Sequence, residues 1–369
     1  WYPVDLRNSA KELIPNHLTF YAFHHAALFP ERDWPRGFGI NGMIQIEGKK
    51  MSKTKGNFVT WRAALEKYGA DGFRLALALT ADGMDDADWR DRAAEDARAK
   101  VEAVIPFVKK SMRTGTKRTE APIDSWLTST IHRRIVTATE AMEEMKVRRA
   151  SATIFLDVWN DIRYYLRRCE SPRAKTLEDV FNAWARMMAP FAPFMAEDLN
   201  HELGGKGLIC QADWPSTADF SLDEGAELSE SVVNKVIDDA RNVLKVVKGP
   251  RETLNIYVAS EDAKAYFTEL ASAKRTKGNV GQVVKKFSAL KMPPDRVFKL
   301  TFELGEDMLD KFLAHKSFDE FEALAGASDY IARELGVKVS VQKGGSRGLR
   351  DPGNRSKDAL PMKPSFFLE

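Results

Sequence analysis

A short basic segment contains the residues of this chain best suited to chemistry. Four lysines and a serine lie within seven residues, between two glycines: Lys49, Lys50, Ser52, Lys53 and Lys55. Lysine side chains are point charges on flexible stems, which suits them to polyphosphate. A mobile loop of this kind can close on a triphosphate and neutralise the charge that grows on departing pyrophosphate. The segment therefore predicts a triphosphate-binding loop. The alternative is a solvated surface turn, the usual role of a basic run.

The elements around this loop predict an α/β region over residues 1–90. "GFGINGMIQIEG" (Gly37 to Gly48) is rich in glycine and β-branched residues and predicts one or two short strands just before the loop. Ligands of α/β proteins bind where parallel strands end, which places the loop at a typical ligand position. A helix is predicted over Leu13 to Phe29, and a second from Thr60, as N-cap, to Gly69. The P-loop pattern is absent from this segment.

Composition limits the class of protein. The 369 residues carry 56 Lys and Arg against 53 Asp and Glu, so a nucleic-acid partner must be sought in local clusters. Two cysteines exclude a disulfide framework and a Cys-rich zinc site, and they favour a cytoplasmic location. The sequence contains no run of 18 apolar residues, so no membrane span is predicted. The first residue is Trp1, from which we expect a C-terminal fragment of a longer protein.

Two further domains are predicted after the α/β region. Residues 91–247 read as a helical bundle, with apolar stripes such as that of Phe155, Val158 and Ile162, and with a helix end or bend at Pro190 and Pro193. Residues 248–369 read as a small α+β domain: strands at "TLNIYVA", "RVFKLTFEL" and "VKVSVQ", and helices at "EDAKAYFTELASAK" and "DEFEALAGASDYIARELG". The Gly/Arg/Pro-rich tail from Lys343 predicts a partly ordered arm.

Several motifs together resemble one family. "KMSKTKGN" (Lys50 to Asn57) resembles the KMSKS signature of class I aminoacyl-tRNA synthetases. "SAKELIPNHLTFYAFHHAALF" resembles the SGKDLIxNHLTF segment of archaeal and eukaryotic-type leucyl-tRNA synthetases, and "WPRGFGINGMIQIEGKKMSK" the strand and loop that follow it there. "KYGADGFRLALALTA", "DDADW" and the final "ALPMKPSFFLE" continue the resemblance, which covers essentially the whole chain.

The resemblance implies a role for individual residues. Lys53 would stabilise the transferring phosphates of ATP, with Lys50 and Ser52 assisting. Glu12 would face the ATP ribose, with His17 in the same helix nearby. The backbone of three further residues would border adenine: Gly42, Met43 and Ile44. Magnesium would accompany ATP, and no protein-bound metal is predicted.

The sequence departs from the family pattern at three positions. Ala10 stands where glycine is usual, and its methyl group could crowd a ligand. Glu12 replaces aspartate and Thr54 replaces serine, which keeps the carboxylate and the hydroxyl. Alternatives stay open for two site residues: Glu12 as a first-turn acid favoured by the helix dipole, and His17 as a packing or capping residue. His24 and His25 are predicted to be structural.

Basic clusters predict contacts with tRNA. Arg163 and Arg167 lie one turn apart on a predicted helix, where they form either a phosphate-binding stripe or a salt-bridged surface. Denser clusters follow at Lys274, Arg275 and Lys277, and in the tail at Arg347, Arg350 and Arg355. Arginine and lysine on a flexible backbone suit a structured RNA, and the resemblance implies the long variable arm of leucine tRNA. For the tail, the alternative is that Phe366, Phe367 and Leu368 pack against the α+β domain.

We therefore expect part of a leucine–tRNA ligase, a monomer that uses leucine, ATP and leucine tRNA. Alone, the chain should be inactive in aminoacylation, because it lacks the HIGH motif and the editing domain. Two rivals remain: another class I synthetase, for isoleucine or valine, and a non-catalytic tRNA-binding protein. The intact Lys50-Met51-Ser52-Lys53 disfavours the latter, which has no need of that loop.

Overall fold

The described part of the chain forms two compact units. The computed structural model describes residues 2–52, 54, 56–246, 252–276, 281–283, 285, 313–315 and 318–369. One unit is Trp1–Leu222 and the other is Asp223–Glu369. No helix in these ranges is long and apolar enough to cross a membrane.

The first unit begins with the predicted α/β region. Strand β1 (Arg7–Ala10) pairs in parallel with β2 (Phe38–Asn41). The connection between them contains a 3₁₀ turn (Lys11–Leu13), a π turn (Ile14–Leu18) and helix α1 (Thr19–Leu28). Parallel neighbours require such a crossover, so the helix and strand predictions for this segment are confirmed.

A second small sheet leads into the basic segment from Lys49 to Lys55, which is called the lysine loop below. Its order is β4 (Lys49–Lys50), β3 (Ile44–Ile46) and β5 (Ala87–Trp89), with β4 antiparallel and β5 parallel to β3. Two helices lie between β4 and β5 in the chain: α2 (Trp61–Tyr68) and α3 (Ala70–Ala78). Thr60 Oγ1 accepts the Ala63 N–H at 3.2 Å, and Gly69 ends α2 with φ of +71°, as its sequence signals predict.

The rest of the first unit is the predicted helical bundle. Its helices are α4 (Asp91–Arg113), α5 (Pro122–Glu143), α6 (Val147–Ala152), α7 (Val158–Arg168), α8 (Ala174–Met188) and α9 (Pro193–Glu202). The predicted stripes are its core: Phe155, Ile162 and Trp184 are fully buried. Helix α8 ends before Pro190 and α9 begins at Pro193, in agreement with the prediction.

The second unit is an α+β domain. It contains α10 (Glu224–Val246), β6 (Thr253–Val258), α11 (Glu261–Arg275), α12 (Glu320–Ala325), α13 (Ser328–Leu335), β7 (Lys338–Lys343) and β8 (Ser365–Leu368). The sheet order is β7-β6-β8, with β6 parallel to β7 and antiparallel to β8. The predicted strand at "RVFKLTFEL" lies outside the described residues.

Three details differ from the sequence predictions. The boundary between compact units follows Leu222 rather than Val247, since α10 packs against α12 and α13. The helix predicted at "DEFEALAGASDYIARELG" is two helices, separated at Gly326 and Ala327. The tail is not a partly ordered arm, because β8 is the third strand of the sheet. The division of the chain into three functional domains stays a prediction.

Candidate functional site

Hydrogen bonds hold both ends of the lysine loop. Strands β3 and β4 form a hairpin whose turn, Glu47–Gly48, has positive φ at both residues. The Gly48 N–H donates to Asp88 Oδ1 at 2.7 Å. Further on, Asn57 Oδ1 accepts the Ser52 N–H and Asn57 Nδ2 donates to the Lys50 carbonyl, both at 3.1 Å. The loop is therefore closed by Asn57, whose side chain the sequence analysis did not single out.

Two of the predicted site residues meet across the loop. Lys50 Nζ lies 3.4 Å from Glu12 Oε1, and both side chains are largely solvent-accessible. Glu12 lies in the 3₁₀ turn that follows β1, so the contact joins the end of β1 to the lysine loop. Ser52 is half-buried at the base of the loop. Lys53, the main phosphate-binding residue of the prediction, lies outside the described residues.

Asp86 joins the segment of Lys11 and Glu12 to the strand predicted to border adenine. Its carboxylate accepts from Lys11 Nζ at 2.7 Å, from the Met43 N–H at 2.8 Å and from Gln45 Nε2 at 3.2 Å. Lys11 foremost, and then the Met43 N–H, lower the pKa of Asp86 below its usual value. Asp86 and Asp88 belong to "DDADW", which the sequence analysis used only for its resemblance. That acidic run after α3 was the available signal.

Gly42 is required by close backbone approach. A Cβ at this position would lie 2.0 Å from the Asp85 carbonyl oxygen, and the Gly42 N–H donates to the Gly83 carbonyl at 3.1 Å. Gly42 and Ile44 also line a cavity of about 650 Å³ with residues of α3 such as Phe73 and Leu77. The role of Gly42, Met43 and Ile44 beside adenine stays a prediction.

The remaining candidate residues near β1 have local contacts. Arg7 Nη2 donates to His17 Nε2 at 3.2 Å. His24 and His25 each hydrogen-bond through Nδ1 to the carbonyl four residues earlier, at 2.7 and 2.8 Å, which is the structural role predicted for them. Ala10 has φ of −78°, so its backbone conformation does not need the glycine that is usual there.

That the protein itself binds no metal stays a prediction. Among the described residues, no group of three or more His, Cys, Asp or Glu side chains is placed to hold a metal ion. The carboxylates nearest the lysine loop already have cationic or backbone partners, namely Glu12, Asp86 and Asp88.

The predicted tRNA contacts on the bundle lie beside a groove. Arg163 and Arg167 are exposed on α7, and the Arg167 guanidinium lies 6.0 Å from the Tyr164 ring centroid. Both arginines line a cavity of about 650 Å³ together with residues of α4. Lys274 lies near the end of α11 and is half-buried. Lys277 and the side chain of Arg275 lie outside the described residues.

The tail arginines are largely engaged within the second unit. Arg350 Nη2 lies 2.7 Å from Glu369 Oε2, and Arg355 Nη1 lies 3.5 Å from Asp358 Oδ2. Arg347 is exposed. The Phe367 ring packs over Gly353, where a Cβ would lie 2.3 Å from a ring carbon. These contacts favour the alternative in which the end of the tail packs against the α+β domain.

Comparison with known proteins gives the family. Residues 9–101 match the family described as tRNA synthetases class I (M), and residues 124–264 match the anticodon-binding domain of tRNA ligase. The whole chain aligns with leucine–tRNA ligases of Pyrococcus furiosus (33% identity), Methanothermobacter thermautotrophicus (32%) and Methanosarcina barkeri (33%). It spans 38%, 40% and 39% of their respective lengths.

A solved structure is also similar. The ternary complex of Agrobacterium radiobacter K84 agnB2 LeuRS with tRNA and LeuAMS overlaps 70% of this chain and 31% of that one, with a TM-score of 0.49 and 20% identity. We draw no conclusion from a likeness at that level. The sequence relatives confirm the predicted family. Residues 9–101 match the class I tRNA synthetases, and the relatives that align along the full length of this chain are archaeal leucine–tRNA ligases.

Proposed function

We propose that this chain is part of a leucine–tRNA ligase and supplies the lysine loop and one wall of its ATP site. The contact between Lys50 and Glu12 carries the proposal. It joins the loop to the turn that follows β1, where an α/β protein binds its ligand. The relatives are named for the complete reaction. This chain spans less than half of their length.

The chemistry would proceed in two steps. A leucine carboxylate oxygen attacks the α-phosphorus of ATP, and the bond from that phosphorus to the bridging oxygen of pyrophosphate breaks. The 3′-terminal ribose hydroxyl of leucine tRNA then attacks the leucyl carbonyl, and AMP leaves. Magnesium enters with ATP, as the counterion of its phosphates.

The lysines would act on the first step. Negative charge moves onto pyrophosphate as its bond to the α-phosphorus breaks, and fixed cations stabilise that charge more than they stabilise bound ATP. We assign this role to Lys53 and Lys50, with Ser52 as a further donor. ATP would draw Lys50 away from Glu12 to its phosphates, which leaves the Glu12 carboxylate free to accept from the ribose.

The exposed apolar face of α1 is consistent with a missing partner domain. Phe20, Phe23 and Leu28 are 62%, 70% and 70% exposed. Several large apolar side chains exposed on one helix favour an interaction site. We propose that these side chains pack against a further part of the class I catalytic domain in the complete enzyme, since this chain spans only 38% of the length of a leucine–tRNA ligase relative.

We propose leucine tRNA as the macromolecular partner. The match to the anticodon-binding domain of tRNA ligase and the basic surface of α7 support this assignment. We also propose that the protein acts as a monomer in the cytoplasm.

The test separates binding from catalysis. The chain by itself should bind leucine tRNA in a filter assay and should not catalyse leucine-dependent ATP–pyrophosphate exchange. In a complete enzyme, Lys50→Ala should lower the exchange rate and leave tRNA affinity unchanged. Arg62→Ala, on the exposed face of α2, is the matched control for lost charge. An exchange rate unaffected by Lys50→Ala would return the loop to the role of a solvated surface turn.

A further inference from the structure

Helices α4 and α7 enclose a groove whose lining is both aromatic and cationic. It has a volume of about 650 Å³ and is open to solvent. Phe107 and Lys110 line it from α4 and Thr114 from just after that helix, while Asn160, Arg163 and Tyr164 line it from α7. Arg167 lies at the same rim, and Glu170 is the one carboxylate among the lining residues.

Two cations of this groove, Lys110 and Arg163, have little charge compensation. Neither Lys110 nor Arg163 has a carboxylate within ion-pair distance among the residues that the structure describes. Lys100 lies about two turns before Phe107 on α4, and its Nζ atom lies 5.5 Å from the Trp159 ring centroid. Burial lowers the pKa of Lys100, and the nearby charge of Arg163 lowers it further. Like charges held together in this way are stabilised when an anion binds between them.

The aromatic residues give the groove a second property. Phe107 stacks on Trp159 with ring centroids 4.4 Å apart, and Tyr164 lies 4.8 Å from Trp126. Packing therefore fixes the Phe107 and Tyr164 rings, although both remain partly exposed to the groove. Fixed aromatic faces beside cations are the combination that binds single-stranded nucleotides, since the base stacks and the phosphate pairs with the cation.

We propose that the groove between α4 and α7 binds one unstacked nucleotide of the bound tRNA. The base stacks against Tyr164, Asn160 provides a hydrogen-bonding edge, and the flanking phosphates lie against Lys110 and Arg163. This inference rests on the proposed tRNA binding, and it adds to it a particular site and an extruded base. A surface that binds only phosphates would need neither the groove nor the Tyr164 ring.

Three variants of the 369-residue chain test the proposal. Tyr164→Leu removes the stacking surface and keeps every charge, so leucine tRNA should bind about tenfold more weakly. Tyr164→Phe keeps the ring and should bind as the parent does. Lys110→Ala with Arg163→Ala should lower the slope of log affinity against log salt by roughly 1.5 to 2, since two phosphate contacts are lost.

The controls distinguish a local effect from a general one. Arg62→Ala with Lys206→Ala removes the same charge from exposed positions of the first unit outside the groove, and should leave the salt slope closer to that of the parent. Tryptophan fluorescence melts of all variants verify folding. Dimethyl sulfate probing should find an unpaired base of the tRNA whose reactivity changes with the parent chain and is restored with Tyr164→Leu.

Each outcome decides the matter. If the parent binds tRNA but Tyr164→Leu binds equally well, no base stacks in the groove and the inference is wrong, while the proposed function stands. If only the charge variant weakens binding, the groove is an electrostatic contact and the extruded base is refuted. If the parent chain binds no tRNA, the tRNA-binding part of the proposed function fails, and this inference fails with it.

Discussion

Glu320 provides a quantitative test of the second unit. It begins α12, its side chain is 2% exposed, and neither carboxylate oxygen has a hydrogen-bond partner among the described residues. Burial raises the pKa of Glu320 from 4.5 to about 8, and only the Met362 backbone and Lys264 act to lower it. The folded state therefore binds a proton that the unfolded state releases between these two values.

The sign and size of the effect follow from linkage. Below pH 4.5 the carboxyl is protonated in both states and its titration costs no stability. As pH rises toward 8, the unfolded state ionises first, so stability falls by about 1.4 kcal/mol per pH unit. Between pH 5.5 and 7.5 the parent should lose roughly 2 to 3 kcal/mol through this group. Glu320→Gln cannot ionise and should not show that loss.

The assay must report on the second unit alone. All eight tryptophans lie at or before Trp214, within the first unit, so their fluorescence would miss the effect. Hydrogen exchange of peptides covering β6 reports the opening free energy of the sheet at both pH values. Glu322→Gln, on the exposed face of α12, is the matched control. Equal pH dependence of β6 protection in the parent and in Glu320→Gln would refute the reasoning.

Four further predictions concern the site and the tail. In a complete enzyme, Lys53→Ala should slow leucine activation about 10²- to 10³-fold, because its contact strengthens as charge moves onto pyrophosphate; pre-steady-state adenylate formation measures this. Asp86→Asn should raise KM for ATP, measured by pyrophosphate exchange, because the pair with Lys11 weakens while the amide oxygen can still accept from Met43. Arg347→Ala should lower the salt slope of leucine tRNA binding without changing stability. Phe367→Ala should destabilise the second unit, which hydrogen exchange of β6 measures, because it unpacks β8.

The Asp86→Asn and Arg347→Ala predictions each have an outcome that would contradict them. Arg62→Ala controls for lost positive charge in the Lys53→Ala experiment. If Asp86→Asn changed only the melting temperature and left KM for ATP at the parent value, Asp86 would be structural. If Arg347→Ala bound leucine tRNA with the parent's salt slope, the tail would not contact RNA at that residue. Truncating the tail would not isolate an RNA contact, since it would also remove β8 from the sheet.

Local signals in the sequence predicted local structure well. Thr60 and Gly69 bound α2 because a cap hydroxyl and a left-handed glycine act within a few residues. The stripe through Phe155 and Ile162 predicted burial because helical periodicity is a repeating signal. Gly326 was missed as a helix end because its φ is −66°, where glycine has no advantage over other residues.

Contacts between distant residues were not predictable from pattern alone. Asp86 contacts Lys11 and Met43 through single polar atoms, and such contacts leave no periodic trace in either segment. The composition of the tail indicated disorder, yet β8 needs only four residues to pair with β6. Glu12 and Lys50 were both assigned to the ATP site only because they lie in motifs of one family, and their direct contact was not predicted.

The lysine loop combines fixed ends with a weakly held charge. The Asp88 carboxylate accepts from the Gly48 N–H, and the Asn57 side chain hydrogen-bonds to the backbone of both Lys50 and Ser52. Thr60 caps α2 just after the loop, so the loop backbone is anchored on both sides. The Lys50 side chain is 79% exposed, and its pair with Glu12 at 3.4 Å is of the surface kind, which contributes about 0 to 1 kcal/mol. Exchanging that carboxylate for a triphosphate therefore costs little, while the anchored backbone keeps the ammonium within reach of the end of β1. Under the proposed function, a buried or bidentate pair at this position would hold Lys50 away from ATP, whereas a fully unanchored loop would lose more conformational entropy when it closes on ATP.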